Sequence, residues 1–171
     1  MNKIVFSGIL SFMFYGLSFS QNLRQVKGLR FLDFQGGVIA TGYTMNVNYN
    51  YLFKQKVFYQ LGGNYLTGKN GSTAFEVVGL NNTANINLVS LKKVIYLNFG
   101  AGFNLNYEFL KAVKEDRSKE GFSFGPVFNL ESEIVLFGDL SLVLKTEYIK
   151  RYKSSFMKNY DAVLIGLRYY L

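Results

Sequence analysis

Tyr43-Thr44-Met45-Asn46-Val47-Asn48-Tyr49-Asn50-Tyr51-Leu52-Phe53 separates into two faces when read at period two. The odd positions, Tyr43, Met45, Val47, Tyr49, Tyr51 and Phe53, are apolar or aromatic. The even positions are Thr44, Asn46, Asn48 and Asn50, then Leu52. A helix would scatter these residues around its axis, whereas a strand sends alternate side chains to opposite faces. The run is also about the length a tilted strand needs to cross the hydrocarbon of a bilayer. Soluble strands are typically about 5–6 residues long. Alternation sustained over twice that length points to a membrane strand with one face to lipid and one to a lumen.

Working outward, Ile95–Tyr107 repeats the pattern. Ile95, Leu97, Phe99, Ala101, Phe103, Leu105 and Tyr107 share one face; Asn98, Asn104, Asn106 and two glycines share the other with Tyr96. Six further segments alternate less cleanly: Phe31–Ala40, Val57–Tyr65, Thr73–Val89, Phe122–Leu136, Leu140–Tyr148 and Val163–Leu171. Within Thr73–Val89 the apolar parity changes, from Phe75 and Val77 to Ala84, Ile86 and Leu88. A bulge near Gly79–Asn82 would account for that. The pattern predicts an all-β fold, a transmembrane antiparallel up-and-down β-barrel of about eight strands spanning residues 30–171.

Short turns are expected at Phe53–Lys56, Ser90–Lys93 and Phe137–Asp139. Longer loops are expected at Thr67–Ser72, Phe109–Gly121 and Tyr152–Asn159, with a tight connection near Gly42. Outer-membrane barrels have short periplasmic turns and longer external loops, so both termini should be periplasmic. Tyr43, Phe53, Tyr65, Tyr107, Phe122, Tyr148 and Tyr169 read as interfacial girdles.

Residues 1–20 read as a signal peptide. Lys3 opens it, an apolar run follows to Leu17, and Ser18 and Ser20 supply the small residues before Gln21. The apolar run is short for a spanning helix. Residues 21–29 are then a periplasmic lead-in. Export through the inner membrane and insertion into the outer membrane of a Gram-negative bacterium is the expected route.

The chain has no Cys and no His. It therefore lacks disulfides, thiol chemistry and the commonest general base and metal ligand. A Ser–His constellation for lipid chemistry cannot be assembled, so no catalysis, cofactor or metal is expected. Gly100-Ala101-Gly102 lies mid-strand with no helix after it. It reads as close packing on the lumen side rather than as a phosphate loop. The net charge of +8 is dispersed among turns and loops, and no direct nucleic-acid contact is expected.

The parity places Asp33, Glu131, Glu133, Lys145, Glu147 and Arg168 in the lumen. Glu131 should face Lys145 across a hairpin centred on Gly138, and Asp33 should meet Arg168 where the first and last strands close. Eight-stranded lumens are just wide enough to be filled by side chains, and buried charges need partners. These six read as a structural plug; an ion path is the functional alternative. Lys111, Lys114, Glu115, Asp116, Arg117, Lys119 and Glu120 make the mixed-charge loop best placed to touch a partner.

Four stretches carry a likeness: Leu32-Asp33-Phe34-Gln35-Gly36-Gly37, the strand Phe58-Tyr59-Gln60-Leu61-Gly62-Gly63-Asn64-Tyr65-Leu66, Tyr96–Glu108 ending in Asn106-Tyr107-Glu108, and Tyr152-Lys153-Ser154-Ser155. Together they resemble the TraO family of conjugative transposon proteins from Bacteroides-type bacteria. The resemblance implies an accessory or anchoring outer-membrane component of a DNA-transfer apparatus, contacting other transfer proteins and membrane lipid. The alternatives are a generic small outer-membrane protein for adhesion or envelope stability and, disfavoured by the missing His, a lipid-modifying enzyme.

Overall fold

The computed structural model describes residues 27–71, 73–112, 118–154 and 157–171. The signal-peptide reading of 1–20 and most of the lead-in lie outside them. Eight antiparallel strands run in chain order: β1 (Arg30–Ile39), β2 (Gly42–Lys54), β3 (Val57–Asn70), β4 (Thr73–Leu91), β5 (Ile95–Ala112), β6 (Ser118–Phe137), β7 (Leu140–Lys150) and β8 (Asn159–Tyr170). Each pairs with its sequence neighbours, and β1 pairs with β8 to close the barrel. Closure leaves no open edge between first and last strands.

The two faces of β2 fall as the alternation requires. Met45 is 66% exposed while Asn46 beside it is 2% exposed. All around the barrel the outward side chains are mainly Phe, Tyr, Leu, Ile and Val, and the inward ones include Asn, Gln, Glu, Lys and Arg. This inside-out distribution suits hydrocarbon outside; a soluble monomer does not expose an apolar belt of this extent. The eleven residues Tyr43–Phe53, at about 3.3 Å each and tilted by about 40°, span roughly 28 Å of membrane thickness.

The three tight turns each adjoin a register shift, at Leu52/Lys54, Asn87/Val89 and Val135/Phe137. Bulges gather at barrel rims because the extra residue bends the strand out of the ladder. Gly138 takes φ 49° in the last turn, a conformation glycine adopts without a Cβ penalty.

The expected parity change within β4 is corrected. There is no bulge at Gly79–Asn82: β4 pairs with β5 without interruption from Thr73 to Asn87, and the shift sits at the rim. Phe75 and Val77 are inward and buried, while Val78, Leu80 and Ile86 face out. The lumen is apolar at that level, so apolar character there does not mark the lipid side.

Two of the expected long loops are also corrected. β3 and β4 continue pairing to Asn70 and Thr73, leaving a two-residue connection instead of Thr67–Ser72. β5 and β6 pair as far as Lys111 with Ser118, so most of Phe109–Gly121 is ladder. Lys114, Glu115, Asp116 and Arg117 lie outside the described residues. The ladder persists because Tyr107, Phe109 and Phe122 pack edge to face, with centroids 4.8 Å apart in both contacts. The Tyr107 hydroxyl also donates to Glu120 at 2.8 Å. At the third long connection, β7 ends at Lys150 and β8 begins at Asn159; Phe124 bridges Tyr152, and the Arg151 amide donates to the Lys158 carbonyl at 2.6 Å.

Candidate functional site: the charged lumen

β1, β6, β7 and β8 bring all six expected lumen charges together, because each contributes inward positions at adjoining levels of the ladder. Asp33 stands opposite Arg168 in the β1–β8 register. The Arg168 guanidinium meets Asp33 with Nε at 2.7 Å and Nη2 at 2.9 Å, a fork-to-fork geometry that gives a strong charge-assisted pair. The same group reaches past β7 to Glu131 at 2.8 Å and to Glu133 at 2.8 Å on β6. Arg168 is 1% exposed. One cation thus holds three carboxylates from two sides of the lumen.

Glu131 stands opposite Lys145 in the β6–β7 register, as expected, and each of the two takes another ion-pair partner. Lys145 pairs with Glu147 of its own strand at 2.8 Å and donates to Gln60 Oε1 at 3.2 Å. Glu131 turns instead to Arg168, whose five donors can serve several carboxylates at once.

The six residues comprise four acids and two bases, a formal excess of two negative charges. Neutral donors surround the carboxylates. Asn50 and Gln60 donate to Asp33 at 3.0 and 3.2 Å. Asn98 donates to Glu131 at 3.0 Å. Ser141 and Tyr170 donate to Glu133 at 2.7 and 2.8 Å. Such hydrogen bonds offset part of the cost of taking ionised groups out of water.

Apolar residues close the lumen on both sides of this network. Toward the tight turns, Phe31, Leu52, Phe58 and Tyr170 form one layer, with Leu29 packed on it. The Phe31 ring lies 5.3 Å from Phe58 and 5.0 Å from Tyr170, and the Arg168 guanidinium sits 4.4 Å from its centroid, a cation–π distance. Toward the loops, Ile39, Leu66, Phe75, Val77, Leu110, Val127, Ile149, Tyr160, Ala162 and Leu164 form the other. A cavity of about 20 Å³ beside Arg168, Glu133 and Tyr170 has room for about one water.

β2 to β5 fill the rest of the interior with amides. Asn104 bonds to Asn81, and Asn106 to Asn104. At Gly79 a Cβ would run into Asn106 and Asn64, and at Gly100 into Asn85 and Asn129. The mid-strand glycines therefore make room for lumen amides.

The alternation also extends to two charges not picked out from the sequence. Glu108 and Arg151 are inward and buried beyond the apolar layer at the loop end, with Arg151 Nη1 3.6 Å from Glu108. Arg151 lies over the Tyr160 ring at 4.5 Å. Continuing the parity past Tyr107 and Tyr148 would have found both. Of the expected partner loop, Glu120 is exposed, and Lys111 and Lys119 have paired backbone.

A lumen filled in this way is expected to carry no ion path. The purified protein is expected to give no stable single-channel steps in planar bilayers, and reproducible open channels would overturn the plug.

No family model matches the sequence, and no curated protein sequence does. Among solved structures, the chain is similar to Neisserial surface protein A (TM-score 0.65, 13% identity, covering 84% of this chain and 97% of that one). It is similar to the N-terminal β-barrel domain of Pseudomonas aeruginosa OprF (TM-score 0.64, 8% identity, 85% and 98%). It also resembles Ail, the attachment invasion locus protein of Yersinia pestis (TM-score 0.55, 9% identity, 85% and 100%). At these identities the likeness establishes the fold: this chain is a closed, eight-stranded antiparallel barrel of the kind found in outer-membrane proteins.

Proposed function

We propose that the protein is a non-catalytic outer-membrane barrel of a Gram-negative envelope that works through its surfaces, in adhesion or envelope stability. The observation that carries this reading is the lumen sealed between two apolar layers. With the interior closed and the belt facing lipid, the rims are left to meet other molecules. Neisserial surface protein A and the attachment invasion locus protein, both similar in fold, support a surface role by analogy. The absence of His from the sequence supports a barrel without acyl-transfer chemistry. The transfer-apparatus role implied by the resemblance to the TraO family draws no particular support from the described residues. It stays testable: a deletion strain with unchanged conjugation frequency removes it.

The deletion strain should lose adhesion or become more sensitive to detergent, with its lipid profile unchanged. Unaltered adhesion and sensitivity would defeat the proposal, and an altered lipid profile would favour catalysis.

Orientation is part of the same proposal. The loop end carries the longest connection, 151–158, and the β3–β6 hairpins reach beyond the ends of β1 and β2 there. Longer connections belong outside, so we place both termini in the periplasm. With no native Cys, single introduced thiols report cleanly. Lys153→Cys should react with an impermeant maleimide on intact cells, and Lys92→Cys only after permeabilisation. The reverse pattern would invert the barrel.

A further inference from the structure

The outward face of β5–β8 is not uniformly filled. Thr146 stands on it in a row with Phe99, Leu130 and Val163. Its hydroxyl donates back to the Leu130 carbonyl at 3.4 Å, so the side chain presents little bulk and no free donor to lipid. A groove of about 320 Å³ results, lined mainly by Phe99, Phe128, Leu130, Tyr148 and Val163, with Asp161 at its edge.

Directly up β7 from Tyr148, the next outward residue is Lys150 at the rim. Its Nζ lies 5.4 Å from the centroid of Tyr152, and Lys153 Nζ lies 5.9 Å from that of Phe124. The two rings neighbour each other at 6.0 Å, and Phe103 extends the aromatic column toward the membrane. Aromatic rings at this level belong to the membrane interface, where the cation–π contacts hold both ammonium groups. Lys158 is exposed on the same loop; Asp161, exposed beside Tyr148, is the opposing charge. Three cations against one anion leave the rim positive.

We infer that this groove and rim form a binding site for a membrane lipid with a phosphate-bearing, anionic headgroup. One acyl chain lies against Thr146, and the phosphate meets Lys150 and Lys153. Thr146 and Lys150 are four residues apart, about 13 Å along the strand at roughly 3.3 Å per residue, a span an acyl chain covers. The apolar groove lies below and the cations above, so headgroup and chain are satisfied by one molecule. The inference rests on the barrel crossing a membrane. Membrane fractionation tests that reading separately from the lipid preference measured below.

The test is native mass spectrometry of the mature protein refolded in detergent, offered equal amounts of phosphatidylglycerol and phosphatidylcholine with identical chains. An anionic membrane surface attracts a nearby lysine with about 1 kcal/mol, so two lysines give a preference of roughly tenfold or more for phosphatidylglycerol. The double variant Lys150→Gln/Lys153→Gln should abolish the preference. Thr146→Phe, which fills the groove, should lower retention of both lipids. Equal retention by the unaltered protein, or a preference untouched by the double variant, would overturn the site. Displacement of the lipid by an equal concentration of inorganic phosphate would show that the groove contributes nothing and would overturn it too.

Discussion

Arg168→Leu is expected to lower the unfolding free energy of the barrel by about 3–5 kcal/mol, the range for removing one partner of a buried ion pair. Its side chain is almost wholly buried and touches Asp33, Glu131 and Glu133, each within 3 Å. Removing it leaves these three carboxylates together in a low-dielectric interior, with Lys145 and its own partner Glu147 as the remaining pair of the cluster. The penalty comes from the stranded acids, not from the lost attraction as such. Replacing Asp33 by Asn and Glu131 and Glu133 by Gln in the Arg168→Leu background should therefore recover much of the loss, because neutral amides carry no uncompensated charge. Urea titration in phospholipid vesicles, followed by β-sheet circular dichroism and by heat-modifiable gel migration, reads both variants. A loss below about 1 kcal/mol, the worth of an exposed pair, would mean that water reaches the cluster freely.

Phe99→Arg should cost about 2–4 kcal/mol in the same assay, the range for a cation placed on the lipid face near the midplane. Phe99 faces out, between Ile95 at the turn end and the Tyr107 aromatic cluster at the loop end. Phe53→Arg supplies the comparison. Phe53 also faces out but is next to Lys54 at the tight-turn rim, where the cost falls to about 0–1 kcal/mol. It is this depth dependence that identifies hydrocarbon. Equal effects at the two positions would argue that the outward belt meets something other than a bilayer.

Strand number, chain-order pairing and the facing of β2, β5, β7 and β8 were legible in the sequence. Period two is a local property: each residue's face follows from its neighbours two away. Strand ends were less legible. Thr67–Asn70 and Phe109–Ala112 look like loop by composition, yet both stay in the ladder because a partner strand continues beside them. Phe75 and Val77 were misplaced for a related reason. Judging apolar residues to be outward assumes a polar lumen throughout, but this lumen has an apolar layer at each end.

The sequence by itself determined an inside-out eight-stranded barrel with ionised groups in its interior, and it brought Asp33 and Arg168 together through the closing register. The tertiary structure alone decided which charges pair. Glu131 and Lys145 face each other across one hairpin, yet Glu131 binds Arg168 and Lys145 binds Glu147. Register places Cα atoms, whereas long charged side chains choose partners across the whole width of a lumen. That choice depends on how many donors each cation can offer and on what else fills the space, and neither quantity is a function of spacing along the chain.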